Sequence, residues 1–203
     1  MQVNLNALCV RPALKSEEPR YRELMQQHHY LGDLSKIGHT LWYVATYAGE
    51  WSALLSFSAS AWKCGVRDRW IGWDFRHQFD RLNLIANNSR FLILPEWHFP
   101  NLGSKVLSLC HQRIAGDWQT HFGQPLLLLE TFVDPSRFHG TVYRAANWTC
   151  LGLTRGFRRT REGYSVNAPS PKLFFILPLQ CDARAQISSP ILNPIYRTGA
   201  PRI

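Results

Sequence analysis

Arg90-Phe91-Leu92-Ile93-Leu94-Pro95, then Glu96 to Leu102, then Gly103-Ser104 and onward to Trp118 is the stretch whose reading decides the fold. An apolar run of strand length, stopped by Pro95 and followed within about ten residues by a Gly-Ser helix start, predicts a strand, a tight loop and a helix. A loop of this kind points bare amides at whatever sits above it. Together with the positive end of the helix dipole, those amides favour an anion, most often a phosphate.

Working outward, Leu102, Val106, Leu109, Cys110 and Ile114 recur at helical spacing, and Gly123-Gln124-Pro125 then makes a turn. Leu126 to Val133 is the most apolar run in the chain, as befits a central strand covered on both faces. Strand 90–94, helix 103–117 and strand 126–133 therefore read as a β-α-β unit with two parallel strands joined right-handedly.

Upstream, Leu41–Tyr47 and Ser52–Phe57 around a Gly-containing turn predict an antiparallel hairpin. Ser16-Glu17-Glu18-Pro19 opens an N-terminal helix that ends near Gln27. Residues 59–64 fit either a brief helix or a continuation of the hairpin. A helix over 75–85 and a turn at Asn87-Asn88-Ser89 precede the central strand. Downstream come a short helix over 140–148 and a last strand over 172–179. The remainder, with Pro190, Pro194 and Pro201, reads as an extended tail. The class is α/β, of the α+β kind: a mixed central sheet with N-terminal helices, a hairpin and a β-α-β core. One domain is expected over residues 1–180, and the tail over 181–203.

The 203 residues are 45% hydrophobic and 13% aromatic, the composition of a packed globular chain. A net charge of +9 and a pI near 9.7 create a field that draws in nucleic acid or other polyanions. Five cysteines, an odd number without a close pair, argue against a disulfide framework and a Cys-based zinc site and read as buried free thiols. No apolar run reaches the length of a membrane span, and the first residues lack a signal pattern. A reducing cytoplasm, with no membrane partner and no metal, is the expected setting.

Ligands of such a β-α-β unit lie at the carboxyl ends of its strands. The acid-base groups around that cleft are His28, His29, Asp68, Glu130, Asp134 and Tyr143. Each has a plainer reading. The histidines can cap a helix end, and Asp68 can pair with Arg67 or Arg69 at the surface, where such pairs stabilise little. Trp70, Trp73, Trp118 and Trp148 can be core, with Arg90 and Asp117 in structural ion pairs. Arg155, Arg158, Arg159 and Arg161, interleaved with Phe157, read either as a solvated face or as a phosphate contact. A serine nucleophile elbow, a Gly-Lys-Ser/Thr phosphate loop and a His-Glu-x-x-His zinc motif do not occur, which removes P-loop nucleotide hydrolysis and zinc proteolysis.

Seven ordered motifs carry a resemblance. They are His29-Tyr30-Leu31-Gly32, Arg67-Asp68-Arg69-Trp70-Ile71-Gly72-Trp73, Asn88-Ser89-Arg90-Phe91-Leu92-Ile93-Leu94-Pro95, Asn101-Leu102-Gly103-Ser104, Asp117-Trp118, Glu130-Thr131-Phe132-Val133-Asp134 and Gly140 to Trp148. Over about residues 20 to 180 the chain resembles the DruA family, named for the Druantia anti-phage defence systems, with relatives that sit beside transposases. Its element order also resembles the GNAT acyltransferase superfamily, in which a strand, a Gly-rich turn and a helix start hold the coenzyme A pyrophosphate. Asn101-Leu102-Gly103-Ser104 stands in that turn's place, with Asn101 where the first glycine is expected. Tyr143 falls where many of those enzymes carry a tyrosine general acid.

The resemblance implies a GNAT-like transferase of a defence or mobile-element system that acts on nucleic acid, DNA before RNA. Its donor is left open between acyl-coenzyme A and another phosphate-bearing group, held by Leu92, Leu94, Asn101, Leu102, Gly103 and Ser104. The catalytic set it implies is His29, Tyr30, Asp68, Glu130, Tyr143 and Asn147. Arg67, Arg69, Arg144, Arg155, Arg158, Arg159 and Arg161 would bind nucleic acid, and other defence or transposition proteins would be partners. The alternative is a non-catalytic nucleic-acid-binding subunit of such a complex. A nuclease built on Asp68, Glu130 and Asp134 ranks last, because their spacing is not diagnostic of a metal site.

Overall fold

The computed structural model describes residues 4–36, 38–60, 62–156, 159–160, 163–164 and 170–196. The chain divides into two compact units, each assembled from separated segments: Met1–Ala59 with Ala86–Leu126, and Ser60–Ile85 with Leu127–Ile203.

The first unit is an antiparallel sheet in the order β1 (Leu8–Pro12), β2 (Thr40–Tyr47), β3 (Glu50–Ala59), β4 (Ile85–Ile93), with two helices, α1 (Glu18–His28) and α4 (Leu102–Phe122). The expected hairpin is β2 and β3, turning through Ala48 and Gly49. β1 buries Leu8 and Val10 with exposed Cys9 between them, and Leu8 to Pro12 pair with Tyr47 to Tyr43. α1 buries Tyr21 and Met25, one turn apart. The Tyr21 ring stacks on Trp42 at 4.6 Å, and its hydroxyl donates to the Leu55 carbonyl at 2.7 Å. α4 presents Leu102, Val106, Leu107, Cys110, Ile114 and Trp118 to the interior. Leu107 replaces Leu109 in the expected stripe. Burying one such apolar side chain stabilises by about 1.5–3 kcal/mol.

Asn87-Asn88-Ser89 differs from the turn expected there. All three lie inside β4, where Ser89 is the extra residue of a β-bulge facing Ser56 and Phe57 of β3. Asn88 Nδ2 donates to the carbonyls of Ser56 and Arg90, and Ser89 Oγ bonds Ser56, so polar side chains replace the regular ladder where the bulge interrupts it.

The second unit contains α2 (Gly65–Ile71), α3 (Phe75–Arg81), α5 (Thr141–Ala145), α6 (Ala183–Ser188) and an antiparallel sheet in the order β5 (Leu128–Val133), β9 (Leu173–Pro178), β6 (Thr149–Leu153). A two-residue pair, β7 (Arg159–Thr160) and β8 (Gly163–Tyr164), stands beside it. Its core gathers Ile71, Trp73, Leu128, Phe174, Ile176, Ala183 and Ile187. The helix expected over 75–85 stops at Arg81 and gives way to a 3-10 turn, Leu82–Leu84. The segment expected as an extended tail contains α6, which buries Ala183 and Ile187. Arg81 holds the following residues by donating to the carbonyls of Ile187, Ser189 and Ile191. Cys9 and Cys181 are exposed thiols, where buried ones were expected.

Candidate functional site

In the first unit, β4 leads to Leu94, whose N–H donates to the Ser52 carbonyl at 3.0 Å, and then to a 3-10 turn, Pro95–Trp97. Asn101 precedes α4 with φ +63°, the left-handed region that asparagine tolerates better than most side chains. The turn therefore has a glycine-like backbone although the residue is asparagine. Leu102 N–H donates to Phe99 O and Lys105 N–H to Asn101 O. Between them, the N–H groups of Gly103 and Ser104 make no hydrogen bond among the described residues. Ser104 Oγ donates to the Asn101 carbonyl at 3.1 Å. Two uncommitted amides at the start of a 21-residue helix with no acid in its first turn are donors available to an anion.

Six residues were expected to hold a donor, and they divide. Gly103 and Ser104 offer amides, and Asn101 shapes the turn. The side chains of Leu92, Leu94 and Leu102 are buried in the core, so they support the turn from below.

Also in the first unit, α1 ends in a tight turn. Gly32 N–H donates to His29 O at 2.7 Å, and Leu31 N–H donates to His29 Nδ1 at 3.2 Å. Gly32 has φ +64°, and a Cβ there would stand 2.8 Å from Gln26 Oε1, the atom that accepts from Asp33 N–H. Only glycine suits that position. The His29 and Tyr30 rings stack at 4.9 Å. Burial, with the Arg90 charge adding to it, brings the His29 imidazole down from 6.5 to about 4, so it is neutral near pH 7. With Nδ1 accepting from Leu31, its proton sits on Nε2. The general-base role expected of His29 is corrected accordingly: its acceptor nitrogen is occupied, and it presents a donor.

Arg90 was expected in an ion pair. Among the described residues no carboxylate lies within ion-pair distance of it. Its Nε donates to Gly32 O at 3.1 Å and its Nη1 to Ser89 O at 2.8 Å. The other expectation holds, since Asp117 pairs with Arg113 at 2.7 Å and accepts from the Tyr43 hydroxyl at 2.9 Å.

In the second unit, Arg67, Asp68 and Glu130 converge. Arg67 and Glu130 are fully buried, with Nη1 3.1 Å from Oε2. Arg67 Nε donates to Asp68 Oδ1 at 3.0 Å and Nη2 to the Trp62 carbonyl at 3.1 Å. Asp68 accepts from Trp73 Nε1, Gln78 Nε2 and Cys64 N–H as well. Burial lifts the Glu130 pKa above its ordinary value against the pull of Arg67. Burial also opposes the Arg67 charge, but Glu130 and Asp68 outweigh it and hold its pKa up. Three expectations are thereby corrected. Arg67 has no surface to offer a phosphate, Asp68 spends its lone pairs on four donors, and Glu130 is sealed with its counter-ion.

Tyr143 is buried, T-shaped against Trp148 at 5.1 Å and stacked on Phe175 at 5.7 Å. Asn147 is an exposed turn residue with φ +64°. Asp134 bonds Lys172 Nζ at 2.6 Å and Ser136, which brings its carboxyl down to about 2. Arg69, Arg144 and Arg155 are exposed, and Arg144 lies over the Phe175 ring. The Arg159 backbone belongs to β7, and Arg158 and Arg161 lie outside the described residues. Arg90, inside β4, is a cation that sequence reasoning placed in an ion pair and that makes none among the described residues.

Comparison with solved structures identifies the fold. The ribosomal-protein-S18-alanine N-acetyltransferase from Escherichia coli superposes with a TM-score of 0.52 at 12% identity, covering 85% of this chain and 94% of that one. The aminoglycoside acetyltransferase AAC(6')-Ib, solved with coenzyme A and kanamycin, gives 0.55 at 12% identity, covering 88% and 99%. A GNAT-family acetyltransferase from Streptococcus pneumoniae gives 0.52 at 13% identity, covering 84% and 99%. The chain thus has the α/β fold of the GNAT acetyltransferases. No curated protein sequence matches. The family model described as Druantia protein DruA matches residues 2–164, well over half of the sequence, and this chain belongs to the DruA family.

Proposed function

We propose that this chain is a GNAT-like transferase of an anti-phage defence or mobile-element system, acting in the cytoplasm with protein partners. In this reading it moves a group from a phosphate-bearing donor to nucleic acid. The observation that carries it is the pair of uncommitted amides, Gly103 and Ser104, at the start of α4. The glycine-like backbone of Asn101 suits the same anion. Acyl-coenzyme A fits these residues through its pyrophosphate and would supply an activated acyl group. Tyr143, by its place in the GNAT-like order, is the proposed proton donor to the leaving group. His29, Asp68 and Glu130 are already engaged through hydrogen bonds, so none of them is assigned as the base.

The test is mass spectrometry of nucleosides after incubating the chain with DNA, acyl-coenzyme A and cell-extract cofactors. A mass-shifted nucleoside that disappears with Tyr143→Phe is expected. Unchanged DNA, together with full biological activity of Tyr143→Phe, contradicts the reading.

The second reading, a non-catalytic nucleic-acid-binding subunit, is favoured by the exposed Arg69, Arg144 and Arg155 and the net charge of +9. Neutralised phosphates release counterions, so binding would weaken steeply with salt. DNA binding that is absent at low salt, or untouched by replacing Arg69, Arg144 and Arg155, defeats it.

A further inference from the structure

The turn after α1 and the start of the apolar part of β4 carry three features that no role above explains. The first is a stacked pair of rings, His29 and Tyr30, whose outer member is 39% exposed. The second is a neutral imidazole whose Nδ1 is filled by the Leu31 amide, which leaves an N–H at Nε2. The third is Arg90, a half-buried guanidinium with no carboxylate within ion-pair distance among the described residues. Among the described residues its Nε and Nη1 donate to the backbone carbonyls of Gly32 and Ser89, and Nη2 makes no hydrogen bond.

Taking a guanidinium half out of water with no carboxylate at ion-pair distance is costly, and burial lowers the Arg90 pKa although Tyr30 and the more distant Asp33 act in the opposite direction. A phosphate oxygen can meet that deficit by accepting a charge-assisted hydrogen bond from Nη2. An aromatic face beside it accepts a planar base, as in single-strand recognition. The turn ties the two together: Arg90 Nε donates to the carbonyl of Gly32, two residues beyond Tyr30.

We infer that His29, Tyr30 and Arg90 form a nucleotide subsite, in which the base stacks on the His29–Tyr30 pair and a phosphate pairs with Arg90 Nη2. His29 Nε2–H serves as a hydrogen-bond donor to the same nucleotide. The inference rests on the reading that nucleic acid is the acceptor and names the residues in the first unit that hold it. The plainer alternative is that Arg90 is only a staple between β4 and the turn.

The test is calorimetric titration of the full chain with dAMP, deoxyadenosine and inorganic phosphate. dAMP is expected to bind more tightly than deoxyadenosine. Arg90→Gln should remove that advantage, a loss of about 10- to 100-fold for dAMP, and leave deoxyadenosine unchanged. Tyr30→Leu should weaken both by about 5- to 100-fold. Because its ring is exposed, this second variant keeps the test decisive if Arg90→Gln fails to fold. A short single-stranded oligodeoxyadenylate should compete with dAMP, and failure to compete overturns the assignment to nucleic acid. Absence of dAMP binding, or binding indifferent to both substitutions, overturns the subsite. Coenzyme A titrated separately distinguishes the two claims: dAMP binding without coenzyme A binding removes that donor and leaves the subsite standing, and the reverse removes the subsite alone.

Discussion

Arg67→Met removes the cation from a buried network that includes Glu130, Asp68 and the Trp62 carbonyl. Breaking a buried ion pair by deleting one member costs about 3–5 kcal/mol. Arg67 bonds Glu130, Asp68 and the Trp62 carbonyl, which places the loss in the upper part of that range near neutral pH. Glu130 can limit the damage by taking up a proton, a step its burial already favours. Without Arg67 its folded-state pKa rises further above the ordinary 4.5. The native chain then holds a proton that the unfolded chain has released, so the variant loses stability as pH rises from about 4.5 toward the raised value, by about 1.4 kcal/mol per pH unit. Urea unfolding followed by circular dichroism at about pH 5 and pH 8 reads this. With an m-value of about 2–3 kcal/mol/M, a loss of about 4 kcal/mol moves the midpoint down by about 1–2 M. The deficit should be smaller at the lower pH. A midpoint change below about 0.5 M for Arg67→Met, or no dependence on pH, would refute the reasoning.

His29 and His111 are both brought by burial from 6.5 down to about 4. The unfolded chain therefore binds protons in that window that the native chain refuses, and stability should fall as pH drops from about 6.5 to 4 and level off below. For His29, allowing for its partial exposure, the share is about 1–2 kcal/mol. Its replacement by phenylalanine should flatten that part of the curve in urea midpoints taken across the window, and an unchanged slope counts against a neutral His29. Gly140 has φ +70°, and a Cβ there would overlap the Phe175 ring, whereas Gly72 has φ +84° with nothing nearby. Gly140→Ala should therefore cost about 2 kcal/mol or more and Gly72→Ala about 1 kcal/mol. Equal losses in thermal melts would show that the Phe175 contact is irrelevant.

The parts of the fold legible in the sequence are those decided locally. α4 announces itself through Leu102, Val106, Cys110 and Ile114, and the hairpin through two β-rich runs around a glycine turn. β1 was not legible, because its alternation, Leu8 and Val10 buried around Cys9, is too short to read without its pairing with β2. The Asn-Asn-Ser turn signal lost to sheet pairing, since Asn88 finds in Ser56 and Arg90 the hydrogen bonds it would otherwise seek in a turn. α2 went unseen because its inner face is built around Arg67, a residue that pattern reasoning places outside. Its counter-ion Glu130 lies 63 positions away, a separation no local pattern records.

The candidate site was legible to the same degree. Gly103 and Ser104 were singled out because a strand, a loop and a helix start are consecutive in sequence. Their expected companions Leu92 and Leu94 are buried in the core. Which acids face solvent and which are sealed depends on burial. Asp68 and Glu130 therefore read as acid-base candidates although they neutralise Arg67.

The central claim is that the start of α4 holds the phosphate of a group donor. Its most direct test is amide NMR of the isotope-labelled chain titrated with coenzyme A and with inorganic pyrophosphate. The account predicts that the Gly103 and Ser104 resonances shift first and furthest with at least one of these probes. Resonances at Gly103 and Ser104 that stay in place, or shifts confined to other residues, would contradict it.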